Sequence, residues 1–282
     1  MRTRGVDRVL LSRATIEGAG VHLKRAFGPA EVPLLDPFLM LDDFHSDDPE
    51  DYIAGFPWHP HRGIETVTYM IRGAVEHGDS IGNKGVIESG DIQWMTAGSG
   101  ILHQEMPREY EGMMQGFQLW VNLPATRKMM KPRYRGITAG QIPSISRGKG
   151  THIKIVAGEV DGTRGPVEDL VVDSEYLDIT LDPSTEFVRA IERDRKAFAY
   201  VFEGHGRFDQ ENAKHVGTES LVVFKDGDQI RVKSGDDGLR FLLVSGKPIG
   251  ESVAWGGPIV MNTDQELDQA FEELRRGTFI KA

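Results

Sequence analysis

Apolar and polar positions alternate through most of this chain, and helical periodicity is confined to its end. From Ile64 the pattern has period two, with Ile64, Thr66 and Thr68 on one side and Glu65, Val67 and Tyr69 on the other. A strand sends successive side chains to opposite faces, so the pattern predicts a β-strand. Gly73, Gly78, Gly82, Gly85 and Gly90 follow every few residues and mark hairpin turns. Residues 1–35 read as short strands with turns at Gly5, Gly18 and Gly20. Residues 116–124 form another β-rich run, closed by Pro124. In the second half, residues 153–157, 176–181, 197–202, 221–224 and 239–244 predict short strands between Gly/Asp turns. Residues 129–143 show no period and read as the connection between halves. Near the end, Thr263 or Asp264 caps a predicted helix over 265–276. Leu267, Phe271 and Leu274 share one of its faces, and Gly277 stops it.

Many short strands with regular turn signals predict antiparallel sandwiches or barrels. An internal echo suggests two copies of one unit: residues 69–73 resemble 200–204, and 88–92 resemble 225–229. The expected division is residues 1–130 and 131–282.

Composition narrows the picture. With 282 residues, 39% hydrophobic and 27% charged, the chain has the make-up of an ordinary globular protein. No apolar run approaches the ~20 residues needed to span a bilayer. The N-terminus lacks a secretory signal pattern, so a cytoplasmic location with no membrane partner is expected. Zero cysteines exclude disulfides and thiolate ligands, so a metal must be held by nitrogen and oxygen. A net charge of -10 disfavours direct nucleic-acid binding, which rests on phosphate neutralisation. Arg127, Lys128, Lys131, Arg133 and Arg135 read as a solvated basic loop.

The chemistry concentrates in residues 55–107. His59 and His61 are two apart, as are His103 and Glu105. On neighbouring strands, two such pairs aim four ligand atoms at one point. Three imidazoles and a carboxylate suit Fe(II), Mn, Ni or Cu, and zinc is compatible. On an octahedral ion they leave two positions for substrate or dioxygen. Glu105 doubles as a base toward a substrate hydroxyl. Glu65 shares the parity of His59 and His61 and stays open as an alternative or supporting carboxylate. His77 reads as a solvated turn histidine, and His45, His152, His205 and His215 carry no pattern. Trp94, Met95, Phe56 and Trp58 read as interior filling. Carried across the internal echo, the four ligand positions fall on Ala190, Glu192, Arg240 and Leu242. The second copy therefore reads as a metal-free lid or scaffold.

The runs HPHRGIETVTY and GDIQWMTAGSGILHQEMP, with DPFLMLDDF before and WVNLP after, resemble the pirin family of bicupins. Residues 255–263 (WGGPIVMNT) resemble the family's C-terminal signature. The resemblance implies an all-β fold of two tandem cupin (jelly-roll) barrels with a short C-terminal helix. It implies one mononuclear divalent metal in the N-terminal domain, Fe(II) first, with Cu, Ni, Mn, Co or Zn as alternatives. The family's ligand set falls on His59, His61, His103 and Glu105, ranking Glu105 above Glu65. The implied activity is an oxidoreductase of the quercetin 2,3-dioxygenase type, with a small aromatic substrate and dioxygen as partners. The alternative is a metal- or redox-dependent regulator that binds a transcription factor or metabolic enzyme.

Overall fold

The computed structural model describes residues 1–209 and 215–281. They form an all-β chain ending in one helix. Two compact units are built from interleaved segments: Arg13–Ala139 with Ile249–Ala282, and Met1–Ser12 with Gly140–Pro248. Each expected half thus takes in a terminal segment from the opposite end of the chain. Among the described residues no helix is long and apolar enough to cross a membrane.

The first unit contains two large antiparallel sheets and the two-stranded antiparallel pair Ala254–Gly256 with Ile259–Met261. Seven strands run in the order Arg133–Ile137, Ile92–Thr96, Ile64–Arg72, Met114–Asn122, Phe38–Ser46, Val21–Phe27 and Arg13–Glu17. Four more run Phe56–His61, Ile101–Pro107, Val75–Asp79 and Lys84–Ile87. Hydrogen bonding does not close the strands into a continuous barrel. The alternation read from Ile64 is real, but Ile64–Arg72 is buried on both faces up to Ile71, as a central strand must be. Arg133–Ile137 lies within the stretch expected to be only a connection and pairs with Ile92–Thr96. A cavity of about 610 Å³ is lined from both sheets.

The second unit centres on the long strand Gln229–Gly246, flanked by Lys196–Arg207, Ser174–Leu181 and Glu186–Ala190. Its interior is packed with apolar side chains, including Phe187, Phe208, Val232, Phe241 and Leu243. Strand pairing corrects half of the internal echo. Ile92 faces Tyr69, and Leu221 faces Tyr200. The 69–73 and 200–204 match therefore holds, but the counterpart of Ile92–Thr96 is Ser220–Phe224, not residues 225–229. Arg240 and Leu242 accordingly sit on the wrong part of the long strand to stand for His103 and Glu105. Arg240 is instead paired with Asp178 and Glu203.

The helix is Asp264–Arg275, capped by Thr263 with the reciprocal Glu266 of a capping box. Leu267, Phe271 and Leu274 pack with Ile259, Met261 and Phe279, as their spacing predicts. Gly277 takes φ 70°, the left-handed stop.

Candidate metal centre

The strands Phe56–His61 and Ile101–Pro107 are antiparallel neighbours. Their register sets His103 opposite His59 and Ile101 opposite His61. Same-parity residues on paired strands share a face, so the three imidazoles meet at one point, with His59 and His61 lining the cavity. Their ligand nitrogens all lie within 4.8 Å of one another. The ring centroids are 4.3 to 4.9 Å apart with mutual tilts of 54° to 84°, so edges converge rather than faces stacking.

Backbone carbonyls fix two of the tautomers. His59 Nδ1 lies 2.9 Å from Pro57 O, and His61 Nδ1 lies 3.0 Å from Pro258 O. A carbonyl only accepts, so each Nδ1 carries the hydrogen and each Nε2 of a neutral ring presents a lone pair. Those two Nε2 atoms face each other at 3.0 Å. His103 is buried, and among the described residues neither of its ring nitrogens has a hydrogen-bond partner. Burial, with the neighbouring His59, lowers the His61 pKa to about 3. Burial first, then the other histidines, also lowers that of His103. Neutral imidazoles with lone pairs turned toward one point repel unless a cation sits among them. The donor set therefore fits a metal ion.

Glu105 lines the same cavity, although a register shift separates it from His103. Thr68 Oγ1 donates to its Oε1 at 2.9 Å, and Gln118 Nε2 donates to Oε2 at 2.9 Å. Trp120 Nε1 in turn donates to Gln118 Oε1 at 3.0 Å, which sets the orientation of that amide. Each carboxylate oxygen keeps a lone pair free of these bonds.

Glu65 does not join them. The turn at Arg62 and Gly63 resets strand parity, leaving Glu65 on the opposite face from Thr68. Thr96 donates to its carboxylate at 2.5 Å, Arg133 lies 3.7 Å away, and burial raises its pKa. His77, expected in solvent, is buried on the Val75–Asp79 strand, 2.6 Å from Tyr134 Oη. Trp94 and Met95 fill the interior as expected, whereas Trp58 is largely exposed.

Lys128 overturns the solvated-loop expectation. It is buried, and its Nζ donates to Gly63 O, Asn122 Oδ1 and Val260 O at 2.7 to 3.0 Å. Burial lowers its pKa to about 8. Gly63 itself sits at φ 78°, where an added Cβ would lie 1.9 Å from Val260 O. Spacing could not announce the orienting groups Pro57 O, Pro258 O, Thr68 and Gln118, because two are backbone atoms and Pro258 is 197 residues from His61.

Residues 20–121 match the family model described as Pirin, and residues 176–280 match the Pirin C-terminal cupin domain. A pirin-like protein of Caulobacter vibrioides is 45% identical over 280 residues, covering 99% of this chain and 100% of that protein. Pirin-1 of Arabidopsis thaliana is 41% identical, covering 96% and 93%. The crystal structure of quercetin 2,3-dioxygenase from Acinetobacter baumannii superposes with a TM-score of 0.90 at 30% identity, covering 98% of each chain.

Proposed function

The chain belongs to the pirin family, with two cupin domains, and from that premise we propose that it is a metal-dependent dioxygenase opening flavonols such as quercetin. The carrying observation is the pair of His59 and His61 Nε2 atoms, 3.0 Å apart, beside His103, which has no hydrogen-bond partner among the described residues. In the proposed site His59, His61 and His103 supply three nitrogens and Glu105 the carboxylate. Such a donor set accepts Fe(II) first, with Cu, Ni, Mn, Co or Zn as alternatives. When bound, the ion would supply Lewis acidity toward the substrate oxygens and a redox partner for dioxygen.

The remaining work falls to the chain. Glu105 takes the proton of the flavonol 3-hydroxyl, and Thr68 and Gln118 keep its carboxylate oriented. His61 and His59 keep their protons on Nδ1, away from the reacting centre. Met40, Phe44, Trp120 and Trp255 wall the cavity, admit a flat aromatic and exclude water. Both oxygen atoms of O2 enter the substrate as its central ring opens and carbon monoxide leaves. The quercetin 2,3-dioxygenase neighbour at 30% identity supports this reading.

The test is anaerobic iron loading followed by oxygen uptake and carbon monoxide release with quercetin. His61→Ala and Glu105→Ala should each abolish both. Turnover no faster than free iron, or undiminished in both variants, refutes the assignment.

A further inference from the structure

One inward-facing row crosses the seven-stranded sheet beneath the histidines. Register sets Thr68 opposite Gln118, Gln118 opposite Asp42, and Asp42 opposite Arg25. Residues directly opposite in antiparallel strands share a face, so these four form a polar stripe. The neighbouring rows carry Trp120 and Met40 on one side and Met70 and Phe44 on the other. All four stripe residues line the same cavity as His59, His61 and Glu105.

The two ends of the stripe differ. Thr68 and Gln118 are committed to Glu105. At the other end Arg25 Nε and Nη2 donate to the two oxygens of Asp42 at 2.8 Å each, and Nη1 lies 2.9 Å from Glu17 Oε1. Side-chain exposure rises from 5% at Asp42 to 17% at Arg25 and 42% at Glu17. The stripe therefore leads outward from the metal-facing carboxylate toward solvent.

We infer that Asp42, Arg25 and Glu17 form a recognition subsite for the far, hydroxylated ring of a neutral aromatic substrate whose enolisable end lies at Glu105. The inference rests on the dioxygenase assignment and adds which residues select the substrate and what charge it carries. One guanidinium between two carboxylates leaves an excess negative charge, and each of its three nitrogens already has one carboxylate oxygen within 2.9 Å. A carboxylate or phosphate on the ligand meets repulsion there. A phenolic hydroxyl donates to the unused lone pairs of Asp42 or Glu17, a charge-assisted bond. Three strand spacings separate Thr68 from Arg25, about 14 Å, the span of two or three linked rings.

The experiment is equilibrium binding to metal-loaded protein under nitrogen. Its probes are quercetin, 3-hydroxyflavone without ring hydroxyls, and a 3-hydroxyflavone carrying a carboxylate on the remote ring. The native chain should bind quercetin about tenfold more tightly than 3-hydroxyflavone, with the carboxylate analogue weakest. In Asp42→Asn and in the solvent-facing Glu17→Gln, the quercetin advantage should shrink several-fold and the carboxylate analogue should gain. An unchanged order in folded, metal-loaded Glu17→Gln overturns the subsite, even where quercetin consumes oxygen. The expected order without any oxygen uptake upholds the subsite and sinks the dioxygenase assignment. Failure of all three probes to bind overturns both.

Discussion

Replacing His103 with leucine should stabilise the metal-free protein and destabilise the metal-loaded one. The imidazole is buried with neither nitrogen partnered among the described residues. A buried polar group left without a hydrogen bond costs about 1–3 kcal/mol, and a leucine of similar size removes that cost. The His59 and His61 Nε2 atoms also lose a third lone pair turned toward them. With metal the balance reverses, because an ion bound only by the folded state adds about 4 kcal/mol at a thousand times its Kd. Losing one of three nitrogens should reduce that increment below about 1 kcal/mol under the same conditions. Urea unfolding of both proteins, in chelator and in saturating Ni(II) or anaerobic Fe(II), reads the four free energies directly. The reasoning fails if His103→Leu loses stability in chelator as a cavity mutation would. It also fails if the metal increment survives the substitution.

The His61 shift sets an acid limit for the metal-free protein. Its pKa falls from 6.5 in the unfolded chain to about 3 when folded, so the unfolded state binds more protons between those values. The stability this neutral burial contributes is complete above pH 6.5 and is lost as pH falls toward 3; at pH 4.5 the loss is about 3 kcal/mol. Denaturant melts at pH 7 and 4.5 should show it, and His61→Gln should shrink the difference by about that amount. Lys128→Met strips a charged donor from Gly63 O, Asn122 Oδ1 and Val260 O, and should cost about 2–4 kcal/mol by the same melts. Gly63→Ala places a Cβ against Val260 O and should lower both melting temperature and metal affinity, read by calorimetry and metal titration.

The three clustered histidines were legible because they obey a local rule. His59 with His61, and His103 beside them, follow strand alternation within single strands, and the pairing of those strands does the rest. The same rule left Glu65 open as an alternative, because parity does not carry through the turn at Gly63. Lys128 was misread for a related reason. Its burial is caused by carbonyls of the turn at Gly63 and of the Ile259–Met261 strand, neither visible from a run of basic residues. The second-unit register slipped where Gly-Asp runs recur. Such runs mark turns without saying which strands they join, and only the facing of Tyr200 with Leu221 decides the match. The helix, whose cap, stripe and stop are all local, was read within a residue or so at each end.

The orientation of the site depends on a segment far along the chain. Pro258 O fixes the His61 tautomer. Arg62, next in sequence, is buried and donates to Ser99 O at 2.7 Å and Phe279 O at 2.8 Å, while its Nη1 lies 2.7 Å from Glu273. Phe279 also stacks under the guanidinium, 4.1 Å from its ring centre. No single side chain can remove the Pro258 carbonyl, but the hold on its neighbourhood can be weakened at Glu273. Glu273→Leu leaves a buried guanidinium without its carboxylate and should cost about 2–4 kcal/mol, less than a fully buried pair because Glu273 keeps some contact with solvent. Loosening the residue beside His61 should also lower metal affinity, by roughly tenfold or more if the segment orients the ligand. Metal titration at a temperature where the variant is fully folded separates the two effects. Unchanged affinity in a destabilised Glu273→Leu would show that the C-terminal segment supports the fold without orienting the histidine.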